Sequence, residues 1–530
     1  MSKHHEQSGC ACCGVSRRSF LATGSATCAG VAACTVGGTL PFVNTARADD
    51  GNGKMKVRVV FVLFGEIQPI PDWPNIGYDF HPVMEKTMTA LNSRCNGIDF
   101  IASSSYSPDM AKTIVDDDAA AGNIDGYLVM QMNNMWQPVV HNIVASGKPV
   151  LFANYLFGGC GGFLVFGAQL VKLNTPNLAF ISSSDIRDLI AAAQCFTFAK
   201  NGNIEAFVKA ATNVRIERTA KISPPKPLDD PLDLLATEEL LKELKGKKII
   251  EVEASGNQLL ADVLRESLGI ELVGVGFAEL NEFWANADKA KAQEVIKQWK
   301  IDADEVFGIP EDVMEDSARM YLTEKALLEK YGACAITINC LGGFYGKHIT
   351  AYPCLGFHQL LNEGLIGACE RDVLSTVAMV VMTTMTKGRP GFISDPCMDI
   401  ATRQIIYAHC VASNKAFGPN GPANPFQILT HSEDRQGASI RSILPVGYMT
   451  TTVEFWPERK LILFHQAVTV ANNPSDRACR TKLAAIPVGD FEKLFTEWDR
   501  YWHRVTYYGD LRDAVFSFAK AVGWEVLEEA

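Results

Sequence analysis

The chain is short of positive charge, and that shortage narrows its partners. It has 49 Lys and Arg against 60 Asp and Glu, a formal charge of −11. It therefore lacks the basic face that nucleic acid or an anionic membrane requires. Cysteine is present without order: fifteen occur, but with no paired CxxC blocks and no cysteine-dense module. This excludes both a zinc-ribbon ligand set and a small disulfide scaffold. Cys10, Cys12, Cys13, Cys28 and Cys34 fall in a segment expected to be removed, and the rest read mostly as buried thiols. Beyond residue 54 no apolar run approaches a membrane span, and there is no internal repeat or low-complexity tract. The glycine cluster Gly158 to Gly162 lacks both GxGxxG spacing and the lysine of a phosphate loop. It reads as a mobile or closely packed loop.

What remains is the composition of a globular chain, 47% hydrophobic and 21% charged over 530 residues. That length exceeds one core and implies two to four domains. Ser16-Arg17-Arg18-Ser19-Phe20-Leu21 matches the twin-arginine export consensus. A weakly apolar stretch follows from Ala22 to Val43, too rich in Gly and Thr for a membrane anchor. Ala46-Arg47-Ala48 then offers small residues at the positions that signal peptidase reads, so residues 1–48 are expected to leave and the mature chain to start at Asp49. The expected destination is the periplasm or the extracellular space, reached as a folded protein through the twin-arginine translocase.

Short apolar runs at Val57–Phe64, Tyr127–Met130, Pro149–Ala153 and Leu178–Ser182 alternate with helical stretches, as in a parallel sheet covered on both faces. After the proline-rich stretch Ser223–Pro227 the pattern resumes with strands at Ile249–Glu253, Glu271–Val275 and Ala333–Asn339. A helix from Asn257 to Leu268, capped by Gly269, lies among them. From about residue 440 the runs alternate like antiparallel strands. The expected architecture is α/β: an open, Rossmann-like domain over 54–180, a second over 181–385, and a mixed, largely antiparallel β domain over 386–530. The site is expected between the second and third.

Three polar positions in the last third stand where strands or loops meet helices or turns. Glu370 lies just before the helix that begins after Asp372, and serves either a ligand or the helix dipole. Asp372 is the residue at the helix N-terminus. Asp395 precedes Pro396, so it either starts a turn or faces a ligand at a strand end. His503 precedes the strand-like Val505–Tyr508 and is either a satisfied interface histidine or a ligand. Asp510 is expected to cap the closing helix. His409 could contact substrate or be structural, and Trp136 is an aromatic that packs in the core or stacks on a sugar face.

These positions sit in a series of motifs: Tyr352-Pro353-Cys354-Leu355-Gly356-Phe357, Leu361-Asn362-Glu363-Gly364, Ala368-Cys369-Glu370-Arg371-Asp372, and Gly388-Arg389-Pro390-Gly391-Phe392-Ile393-Ser394-Asp395-Pro396. His409-Cys410 and His503 before Tyr508-Gly509-Asp510 complete it. In order and spacing the series, over about residues 245–530, resembles the L-fucose isomerase and L-arabinose isomerase superfamily, the fucose branch most closely. The resemblance implies that Glu370, Asp395 and His503 bind one divalent cation, Mn²⁺ with Mg²⁺ or Co²⁺ as substitutes, a set of ligands suited to such ions. It implies aldose–ketose isomerisation through an ene-diolate, with Glu370 and Asp395 jointly moving the proton. It also implies a homo-oligomer, a trimer or hexamer in which a neighbour's first domain covers the site. Trp502, where the family usually has Asn, and a short interval from Asp395 to His503 point to a sugar tail unlike that of L-fucose. A secreted sugar-binding protein without turnover, and an epimerase, are the readings set against this one.

Overall fold

The computed structural model describes residues 53–530 apart from Trp136. The expected export segment and Trp136 therefore lie outside the described residues. The first sheet contains β1 (Met55–Val62), β2 (Ile98–Ser105), β3 (Gly126–Gln131), β4 (Val150–Asn154) and β5 (Leu178–Ile181), all parallel, in the order β2-β1-β3-β4-β5. Its central strands are continuous apolar runs because helices cover both faces. Val57, Val59, Val60, Phe61 and Val62 have no exposed surface.

The second sheet is also parallel. It is built from β6 (Lys248–Val252), β7 (Glu271–Val275), β9 (Ala335–Ile338) and β10 (Ile366–Ala368) in the order β10-β9-β6-β7. Between them in sequence, β8 (Glu305–Val306) joins β13 (Phe426–Leu429) and β14 (Ser439–Ser442) in a small separate sheet. The helix Gln258–Leu268 begins at Asn257, whose side chain accepts from Leu260 N, and ends at left-handed Gly269.

The third layer is antiparallel and closes on itself. Its strands are β11 (Phe392–Asp399), β12 (Gln404–His409), β15 (Met449–Trp456), β16 (Leu461–Asn472), β17 (Thr481–Val488) and β18 (Arg504–Tyr508). They follow the order β15-β18-β11-β12-β17-β16, and β16 pairs again with β15, making a six-stranded barrel. Closure gives each of these strands a neighbour on both sides. A last strand, β19 (Glu525–Glu528), adds parallel to β16. The fold class is thus the expected one, with the closure as an addition.

The helix Val373–Met385 lies between the second sheet and the barrel. Its sequence shows one apolar face, yet Ser375, Thr376 and Thr383 are buried too. Each is satisfied locally: Ser375 Oγ donates to Asp372 and Glu454, Thr376 Oγ1 to the Asp372 carbonyl, and Thr383 shares a hydrogen bond with Tyr507. The proline-rich stretch is not a free linker. It leads into Asp230, which forms a bidentate pair with Arg389 (2.6 and 2.7 Å) beside the barrel. No described helix is long and apolar enough to cross a membrane.

Candidate metal centre

The burial of that helix sets the position of its N-terminal turn. β10 ends at Ala368 and the helix starts at Val373, so four residues must reverse the chain. Glu370 (φ 64°) and Arg371 (φ 53°) take left-handed conformations to do so, each costing about 1 kcal/mol in a non-glycine residue. The strain is held by Arg371 N to Ile338 O (2.8 Å), Arg371 Nη1 to Glu253 O (2.6 Å) and Glu370 N to Cys340 Sγ (3.3 Å). It delivers the Glu370 carboxylate to the barrel.

Asp395 lies inside β11, not in a turn. The strand pairs with β18 through Ser394 and with β12 from Asp395 onward. Pro396 thus falls where the strand has a partner on one side only, which accommodates its missing N–H. His409 ends β12 and His503 precedes β18, so the strands flanking β11 bring both imidazoles to Asp395. His503 Nε2 is 3.6 Å from Asp395 Oδ1 and 3.7 Å from Glu370 Oε2, and His409 Nε2 is 3.4 Å from Glu370 Oε1. The three expected residues are therefore brought together, and His409 joins them.

Asp372 does more than cap a helix. Its Oδ1 accepts from Ser375 N (2.9 Å), and its Oδ2 lies 2.9 Å from His503 Nδ1. That bond fixes Nδ1 as the donor and turns Nε2 toward Glu370 and Asp395, where a cation would displace its proton. Burial opposes a charged His503, but Asp395, the Asp372 hydrogen bond and Glu370 outweigh it and hold the pKa at about 10. Burial is also the largest influence on Asp395 and, with Glu370 beside it, pushes that carboxyl up. For Glu370 burial is overcome by His409 and His503, and its pKa falls.

The donor set fits a divalent cation. Glu370, His409 and His503 each place a ligating atom within 4.8 Å of the others. Cis ligands at about 2.1 Å from an ion stand about 3.0 Å apart, so the observed spacings need only a small contraction. Both His409 nitrogens are buried with no hydrogen-bond partner, an unfavourable state that a cation would relieve. Asp395 falls outside that group of three and borders it through His503, at 3.6 Å. Two imidazoles and a carboxylate suit Mn²⁺ or Co²⁺ better than Mg²⁺, which prefers oxygen.

Sequence reasoning missed two more carboxylates. Asp72, on a first-domain loop, is pushed well up by burial and by Glu433. Burial holds Glu433 at about 7, while Tyr345 Oη donates to it at 2.6 Å. The loop bearing Asp72 docks on the β13–β14 connection through Ile76 N to Glu433 O (2.7 Å) and on the β16–β17 connection through Ala478 N to Pro74 O (2.9 Å). No local motif marks either carboxylate. Trp502 packs on the first domain: its ring meets Phe166 edge-on, and a Cβ on Gly161 would lie 2.3 Å from it. The glycine cluster is a close-packing device, with Gly158 and Gly159 against the Met132 and Gln131 carbonyls.

No family model matches the chain. It is similar to the sulfoquinovose isomerases of Priestia aryabhattai and Priestia megaterium, 20% identical over 269 residues, which cover 49% of this chain and 58% of each relative. A sulfoquinovose isomerase of a Clostridium species is 33% identical over 94 residues, 17% of this chain and 20% of that one. The chain thus matches a little over half the length of the first two. These relatives are named as sugar isomerases, and none of the three carries the name of the fucose branch. Among solved structures, a sugar ABC transporter from Yersinia enterocolitica has 12% identity and a TM-score of 0.16, covering 54% of this chain and 66% of its own. A solute-binding protein from Burkholderia multivorans has 11% and 0.18, covering 62% and 93%. Likenesses this low carry no argument.

Proposed function

We propose that the chain is a divalent-cation-dependent aldose–ketose isomerase of a small modified sugar, working outside the cytoplasm. The observation that carries this reading is the convergence of Glu370, Asp395, His409 and His503 at the junction of the helix Val373–Met385 with the barrel. Similarity to named sulfoquinovose isomerases supports it and makes sulfoquinovose the first aldose to try.

A bound cation, Mn²⁺ being the favoured one, would supply Lewis-acid polarisation of the sugar carbonyl. Glu370, Asp395, His409 and His503 would hold it. The interconversion shifts one proton between C2 and C1, and a carboxylate of the Glu370–Asp395 pair moves it as base and then acid. Asp372 keeps Nε2 of His503 turned toward the pair. Asp72 and Glu433, in electrostatic reach of Asp395 and Glu370 respectively, would hydrogen-bond with sugar hydroxyls. A trimer or hexamer, and delivery by the twin-arginine translocase, complete the proposal.

The test is incubation of the mature chain plus Mn²⁺ with a panel of aldoses including sulfoquinovose, scored for ketose. Glu370→Gln and Asp395→Asn each remove a charge and nearly keep shape. Both are expected to lose bound metal and ketose formation while the fold persists. Full activity in either variant would refute the mechanism.

A further inference from the structure

Ten cysteines lie among the described residues and none is cross-linked. Six of them form three contacting pairs: Cys340 with Cys369, Cys160 with Cys397, and Cys410 with Cys479. Each pair has a member within two residues of the metal cluster. Cys369 precedes Glu370, Cys397 follows Asp395 by two, and Cys410 follows His409. The Cys410–Cys479 pair is the best equipped to react. Its sulfurs are 3.4 Å apart, and both side chains are almost wholly buried. Cys410 Sγ lies 3.1 Å from Ser432 Oγ and in hydrogen-bond reach of His431, whose Nδ1 is 3.1 Å from Asp434 Oδ1. The pair is thus set apart by direct sulfur–sulfur contact and by the Ser432 hydroxyl beside Cys410 Sγ.

We propose that Cys410 and Cys479 form a reversible disulfide that couples thiol redox state to the metal pocket. The oxidant is a small-molecule disulfide. The Cys410 sulfur attacks one of its sulfurs, forming a mixed S–S bond and expelling one thiolate. Cys479 then attacks Cys410 Sγ, closes the internal bond and expels the second. The protein gives up two electrons and two protons, and the small disulfide leaves as two thiols. A disulfide is about 2.0 Å long, so the sulfurs must approach by about 1.4 Å from their present separation. Cys410 directly follows His409, whose pairing with Thr481 ends the ladder between β12 and β17, so a shift of the Cys410 backbone would carry the imidazole with it.

The experiment treats the full reduced chain with oxidised glutathione, blocks free thiols, digests without reduction and maps the peptides by mass. Cys95 and Cys195 are internal controls. Their only sulfur hydrogen bonds among the described residues are to backbone carbonyls, and burial pushes their pKa values to about 11 and 12. The expected result is a linked Cys410–Cys479 peptide about 2 Da lighter than its two reduced halves, with Cys95 and Cys195 still free. Dithiothreitol should reverse it. Mn²⁺ affinity should differ about tenfold between the two states, and Cys479→Ala should show no change on the same treatment. If that variant does not fold, the oxidised and re-reduced parent carry the comparison. Recovery of Cys410 and Cys479 as free thiols after Cys95 and Cys195 have reacted would overturn the disulfide, as would a stable glutathione adduct on Cys410. Equal Mn²⁺ affinity in linked and reduced chains would overturn the coupling. The coupling rests on the metal reading and the disulfide does not; a reduced chain that binds no Mn²⁺ would overturn the metal reading and, with it, the coupling.

Discussion

Asp372→Asn separates two roles that meet in one carboxylate. Asn caps a helix about as well as Asp, so the bond from Ser375 N should survive and only the charge at the helix end is lost, about 0.3–1 kcal/mol of stability. The partner 131 residues away is affected differently. Asp372 Oδ2 takes the Nδ1 proton of His503 at 2.9 Å, and an amide that turns its NH₂ that way offers a donor to a donor. The ring must then rotate or change tautomer, and Nε2 no longer faces Glu370 and Asp395. Loss of such an orienting partner weakens metal binding 10–100-fold, about 1.4–2.7 kcal/mol. Calorimetric titration with Mn²⁺ beside a thermal melt reads both effects. Ser375→Ala is the comparison: it removes the hydroxyl that donates to Asp372 and Glu454. It should cost about 1–2 kcal/mol of stability and spare the metal. The reasoning fails if Asp372→Asn binds Mn²⁺ within twofold of the parent, or if Ser375→Ala loses as much metal as it does.

His409→Ala should lower Mn²⁺ affinity, because it removes the imidazole 3.4 Å from Glu370; unchanged affinity would remove His409 from the ligand set. Glu529→Gln should destabilise the barrel by about 3–5 kcal/mol, since it leaves the fully buried Arg504 without its counter-charge. Burial opposes ionisation of Glu529, but Arg504 and His465 hold its pKa at about 2, below the usual carboxylate range. A depressed folded pKa means that its stabilising contribution is full above the unfolded pKa and is lost as pH falls from about 4.5 toward 2. Melting temperature in that window should drop more steeply for the parent than for the variant; parallel curves would count against it. Replacing both Arg17 and Arg18 by Lys should strand the precursor in the cytoplasm, and fractionation that finds it exported would end the export reading.

Seven of the nine strands of the two parallel sheets, the helix from Asn257 to its stop at Gly269 and the turn into the helix after Asp372 were legible because each depends on residues a few positions apart, whereas β2 and β10 escaped the pattern. Residue type left Glu370, Asp395 and His503 open between structural and ligand roles, and the family resemblance is what marked them as a ligand set. Local grammar misjudged Asp395, because Asp before Pro ordinarily opens a turn, and only the change of neighbour along β11 lets a strand run through it. The closure of β15 onto β16 was hidden, since alternation along a strand says nothing about which strand lies beside it. Equally, the order of β12 and β18 on either side of β11 places His409 and His503 by Asp395, while the pairing of β12 with β17 brings Cys410 to Cys479 and that of β19 with β16 brings Glu529 to Arg504. Sequence alone determined the chemistry available and the short-range turns that present it. Tertiary structure decided which groups share a site, because contacts across many tens of residues are set by sheet order and burial, and neither is written in the spacing.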